Sequence, residues 1–169
     1  TVNVAFVDKG MAERLVAEGA RSPADLVLTV DIARLTQIVE AGVTQPVQSD
    51  VLEANIPATL RDEADHWFGL TSRARIIYAS TDRVADGEVT TYEDLAERAI
   101  AIGNTYSLGQ TLAAPDPNAA AEAVRIVFPT FEGDGTHLNI SGVAMTKAAP
   151  NYDNALKFME WLSGDEAQK

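Results

Sequence analysis

The segment GNTYS, residues 103–107, sets a phenol (Tyr106) two positions after a carboxamide (Asn104) and next to a hydroxyl (Ser107), at the end of the apolar run Ile100 to Ile102. The run is β-prone, the chain turns at Gly103-Asn104, and Tyr106-Ser107-Leu108-Gly109 reads as the opening of a helix. A phenol so placed is either a packing residue or a ligand for a metal or an anion. A free phenol has an ordinary pKa of about 10, so it ligates well only beside a strong Lewis acid that drives off its proton. Ferric iron is such an acid and prefers oxygen donors. One phenolate does not complete its coordination, and further oxygens must come from other side chains, a bound anion or water. A second group, Arg73 and Arg75 in "SRARIIYAS", falls on one face of an expected strand while Ala74 and Ile76 fall on the other. Paired guanidinium groups of this kind are either a solvated strand face or an anion contact.

Other chemistries lack their residues. There is no Walker loop, no GxGxxG after a strand, no GxSxG elbow and no HExxH. The two histidines, His66 and His137, are isolated from one another, and the absence of cysteine removes disulfides, thiolate metal sites and a cysteine nucleophile. Glu93, Asp94, Glu132 and Asp134 read as solvated carboxylates, and "NIS" at 139–141 as a chance match to a glycosylation acceptor inside a strand-like run. No enzyme signature remains. With 13 Lys and Arg against 25 Asp and Glu, the formal charge of −12 disfavours nucleic acid and suits a cation or a neutral partner. No run approaches the roughly 18 apolar residues of a membrane span, so a soluble protein is expected, with any export signal removed.

A chain of 169 residues, 46% hydrophobic, suffices for one ordinary domain. Val2, Val4 and Phe6 alternate like a strand; Met11, Leu15 and Val16 then take helical spacing up to Gly19. Leu26 to Val30 reads as a strand, and Asp31 as the cap of a helix carrying Ile32, Leu35, Ile38 and Val39 before Gly42. This alternation predicts an α/β fold with a mixed, mostly parallel sheet flanked by helices. Residues 43–65 read as surface connection with short helical turns, and "HWFGLTSRARIIYAS" as one or two strands with Trp67 and Phe68 inward. "TTYEDLAERA" begins an acidic helix capped by Thr90 or Thr91. Two strands around Gly-Asp-Gly (133–135) carry a hairpin signal, and Tyr152, Leu156, Met159 and Leu162 define a final helix.

Taken together, "KGMAERLVAEGARSPADLVLTVDIARL", "VEAGVTQPVQSDVLEANIPATLRD", "HWFGLTSRARIIYAS", "TTYEDLA", "AIGNTYSLGQTLA" and "FPTFEGDGTHLNISGVAMTKAAPNYDNALKFMEWLSGDEAQ" cover nearly the whole chain. In this order they resemble the periplasmic ferric-iron-binding proteins that deliver Fe(III) to ABC importers. The resemblance implies one lobe of a type II periplasmic binding protein. Intact members are two-lobed clamshells, with a first β-α unit before "VNV", a second lobe between "YEDLA" and "AIGNTY", and an extension beyond "DEAQ". Residues 1–169 are therefore expected to form a single α/β lobe, discontinuous in the parent, with a junction near 96–98.

The resemblance also implies a site. Family members commonly use two adjacent tyrosines in an "NTYY" segment; here Tyr106 holds the first position and Ser107 the second. Where some members carry a glutamate in a strand-to-helix turn, this chain has Val30 followed by Asp31. The expected metal ligand is Tyr106, with Asn104, Ser107, Arg73, Arg75 and Asp31 as groups meeting the synergistic anion or supporting the ligand. Fe(III) with carbonate or phosphate is the implied cargo, an ABC permease the implied partner, and the periplasm the implied location. The alternatives are a truncated or engineered folding module that binds nothing and carries no cofactor, and a binder of phosphate, a polyamine or thiamine. A lobe parted from its partner is also expected to bare an apolar face and to pair there as a homodimer.

Overall fold

The computed structural model describes residues 1–7, 9–91, 93–94, 100–107, 123–130 and 135–169. In chain order its principal elements are α1 (Met11–Glu18), β1 (Leu26–Thr29), α2 (Ile32–Glu40), α3 (Asp50–Asn55), β2 (Trp67–Ser80), β3 (Ile100–Asn104), β4 (Val124–Val127), β5 (Leu138–Met145) and α4 (Tyr152–Ser163). They fall into two compact units, one made of Thr1–Thr71 with Ile140–Lys169 and the other of Ser72–Asn139.

In the first unit the sheet separates two layers of helices. β1 pairs antiparallel with β5, Leu26 opposite Met145 and Thr29 opposite Gly142, and β5 is followed in the strand order by β2. Side chains along β5 alternate between the two faces, as the pleat requires. Val143 and Met145 join Leu52 of α3, Met159 of α4 and Phe68 in one cluster, while Ala144 joins Val27, Leu15 of α1 and Leu35 and Ile38 of α2 in the other. Trp67 packs on the second cluster and Phe68 in the first, so the two aromatics are inward on opposite faces. Gly142 is required by this packing. A Cβ there would lie 2.5 Å from the Phe68 carbonyl oxygen and 2.9 Å from Leu35 Cδ1.

The helices end where local chemistry says they should. Asp31 Oδ1 accepts the Arg34 N–H at 2.8 Å and caps α2. Ser49 does the same for α3, accepting from Leu52 N, and also donates to Glu160 Oε1 of α4 at 2.7 Å. The Asn151 N–H, at the start of α4, finds Asp25 Oδ1 at 2.6 Å.

In the second unit β2 lies between β3 and β4, antiparallel to both. Ile77 is opposite Ile102 on one side and Val127 on the other. Ile77, Ala79, Val84 and Val89 form its core. Arg125 on β4 donates to the carbonyls of Val84 and Ala85 and pairs with Asp86 at 3.1 Å, which pins the turn after β2.

Several expectations need correction. The α/β class with flanking helices holds, but the β1–β5, β2–β3 and β2–β4 pairs are all antiparallel, where a mostly parallel sheet was expected. The reason begins at residues 2–6, which form no strand: Val2, Val4 and Phe6 are 60%, 69% and 96% exposed. β1 thus gains no parallel neighbour from that segment and pairs instead with β5, which runs the other way. Among the described residues β4 and β5 do not pair with each other as a hairpin would require, since β4 pairs with β2 and β5 with β1; the Gly-Asp turn lies outside the described residues. Residues 43–65 are more than surface connection, because Val47, Leu52 and Ile56 are core. At Thr90 and Thr91 the carboxylate expected in the first turn is Asp94, whose Oδ2 accepts both backbone N–H groups, at 2.8 and 2.9 Å. The expected junction at 96–98 lies outside the described residues.

Candidate functional site

β3 delivers the site. Its last residue, Asn104, pairs in register with Arg75 of β2, and residues 105–107 turn into helical conformation. The change from strand to helix brings the Tyr106 ring back toward the strand end, where Asn104 Nδ2 donates to the Tyr106 hydroxyl at 3.0 Å. Tyr106 remains 53% exposed. Ser107 follows it in the same turn and is half-buried.

Beneath this pair lies a tyrosine that the sequence reading did not single out. Tyr78 is opposite Ala101 in the β2–β3 ladder, and its ring leans diagonally across Gly103, whose missing side chain leaves the space. A Cβ at Gly103 would come within 2.2 Å of Tyr78 Cε2. The Tyr78 hydroxyl donates to the Asn104 carbonyl oxygen at 2.9 Å. Asn104 is therefore held from both ends, its backbone by one phenol and its side chain by the other. A glycine inside a β-strand often marks such a close approach, and Gly103 was the available signal.

The arginines lie as alternation required. Ala74 and Ile76 are buried, Arg75 is exposed and Arg73 half-buried, with the two arginines on the strand face opposite Ala74 and Ile76. Arg75 is directly across the ladder from Asn104, a distance over which cross-strand side chains interact. The structure thus brings Arg75, Asn104 and Tyr106 together at one strand end. Asp31 belongs to the first unit, where it caps α2 and lies 3.6 Å from Arg34 Nε.

Neither imidazole ring takes part in this cluster by any described contact. His66 Nδ1 is 2.8 Å from the Thr44 hydroxyl, and His137 offers its carbonyl to the Arg75 N–H at 2.9 Å. Among the described residues no three His, Cys, Asp or Glu side chains are grouped to hold a metal. A metal here would need phenolate, an exogenous anion and water, the donor set that suits a hard trivalent cation.

The fold is that of the type II periplasmic binding proteins. It is similar to ferric iron-binding protein A of Mannheimia haemolytica in an open conformation, 36% identical with a TM-score of 0.82, matched over 98% of this chain and 72% of that one. A Trichodesmium protein (IdiA, FutA) solved in complex with iron and citrate ligands is 32% identical with a TM-score of 0.81, over 94% of this chain and 71% of that one. Iron uptake protein A1 of Synechocystis sp. is 35% identical over 223 residues, 94% of this chain. No family model matches the sequence. The chain belongs to the family of ferric-iron-binding proteins. It spans 62% of the length of the Synechocystis relative.

Proposed function

We propose that this chain is a ferric-iron-binding component of an ABC importer, or a lobe of one, acting in the periplasm with an ABC permease as partner. Tyr106 is the metal ligand in this reading. The observation that carries it is the 3.0 Å hydrogen bond from Asn104 to the Tyr106 oxygen, at a strand end open to solvent. A donor aimed at that oxygen favours its charged form when a metal takes the proton's place. Arg75 and Arg73 supply positive charge for a synergistic carbonate or phosphate, which completes the oxygen coordination. Ser107 adds a hydroxyl next to the ligand. The chemistry is capture and release of a cation, with no catalytic step.

The proposal includes residues 1–169 as one lobe with a junction near 96–98. The Synechocystis match supports it: that match runs over 223 residues, more than the 169 available here, so the relative holds residues inside the matched span that this chain lacks. A ligand that binds only the folded state raises its melting temperature by mass action. Ferric citrate added to chelator-treated protein is expected to raise Tm, with citrate alone as control; equal Tm in both would sink the iron reading. A second reading, an anion site without iron, has the Arg75 to Asn104 register in its favour. In that case phosphate alone raises Tm and Arg75→Ala removes the effect.

A further inference from the structure

We infer that Tyr78 is a positioning residue for the Tyr106 oxygen, acting through Asn104. This rests on Tyr106 being the iron ligand. Three contacts form the chain. Tyr78 leans over Gly103, which any side chain at 103 would prevent. Its hydroxyl donates to the Asn104 carbonyl at 2.9 Å. The Asn104 carboxamide in turn donates to the Tyr106 hydroxyl at 3.0 Å.

Asn104 is the last residue of β3, where ladder pairing ends and the backbone turns into helix. A strand end is where a residue is least constrained by its own ladder. The Tyr78 bond reaches across from the neighbouring strand and fixes the peptide there, and with it the direction in which the Asn104 side chain leaves the backbone. Tyr78 is half-buried and Tyr106 exposed. The arrangement sets a sheltered phenol as a brace and an open phenol as a ligand, with one carboxamide between them. Such a brace matters because coordination geometry tolerates little displacement and supporting groups tune metal ligands.

The test is Tyr78→Phe, which keeps the ring over Gly103 and removes only the hydroxyl. Iron-free protein is read first, by the Asn104 side-chain amide resonances in a nitrogen-proton correlation spectrum. These are expected to shift in Tyr78→Phe by as much as in Tyr106→Phe, while Tm stays close to that of the parent. Unchanged Asn104 amide resonances would overturn the inference. In the ferric complex, Tyr78→Phe is expected to weaken iron about threefold to tenfold, the worth of one hydrogen bond, and to move the phenolate charge-transfer band. In a Tyr106→Phe background it should do nothing further. An undisturbed band and affinity would also count against the brace. If the parent protein gives no ferric band at all, the iron assignment fails, and the amide resonances still decide whether Tyr78 orients Asn104. Gly103→Ala, which displaces the ring itself, should reproduce the amide shift with a loss of Tm.

Discussion

Asn104 and Tyr106 are joined by a hydrogen bond of 3.0 Å from carboxamide to phenol, across the point where β3 becomes helix. Removing the donor while keeping the shape tests what that bond does. Asn104→Leu is expected to leave the fold intact and to reduce ferric affinity about threefold to tenfold. Equilibrium competition with citrate measures it, and an affinity equal to that of the parent would show that the bond does not serve the ligand.

Gly142 meets neighbours on both sides, the Phe68 carbonyl and the Leu35 methyl, at distances a Cβ cannot occupy. Backbone cannot retreat as a flexible side chain can. Gly142→Ala should therefore destabilise by at least about 1–3 kcal/mol, the usual cost of overpacking, read as a lower urea midpoint with the slope unchanged. A midpoint within error of the parent would mean that β5 can shift relative to β2.

The cap at Asp31 allows a cleaner test of local design. Asp31→Ala leaves the Arg34 N–H without its acceptor and should cost about 1 kcal/mol, whereas Asp31→Asn should recover most of it. Equal loss in both variants would point away from capping and toward a need for the charge.

Glu18 provides the pH dependence. The Ser22 hydroxyl donates to it at 2.6 Å and the Arg14 guanidinium at 2.7 Å, and these hold its carboxyl below the ordinary carboxylate range, the Ser22 bond being the larger cause. A lowered folded value favours the folded state while the carboxylate is charged. The contribution is therefore complete above the unfolded value and lost as the pH falls through the lower, folded one. Melting of the parent and of Glu18→Gln, compared from roughly pH 6 down to pH 3, should show a Tm difference that shrinks toward the acid end. A constant difference would contradict the assignment.

What could be read from sequence follows the range of the interactions. α2 was legible at both ends, because Asp31 and Gly42 act within a turn of the residues they cap, and Leu35 and Ile38 are buried as their spacing required. The faces of β2 were legible for the same reason, with Ala74 and Ile76 inside and Arg75 outside. Strand partners were not. Alternation in Val2–Phe6 describes a strand that needs a neighbour, and no strand forms there. β4 and β5 follow one another in sequence yet pair with β2 and β1, which no local rule specifies. Tyr106, Asn104 and Ser107 could be grouped as candidates because they adjoin one another; Tyr78, 26 residues from Asn104, was not singled out because its bond exists only once β2 and β3 are in register.

The central claim is that Tyr106 binds ferric iron, and visible absorption tests it most directly. Chelator-treated protein titrated with ferric citrate should develop the charge-transfer band of an iron phenolate, saturating at one iron per chain, and Tyr106→Phe should abolish it. No band in the parent protein, or an equal band in Tyr106→Phe, would contradict the claim.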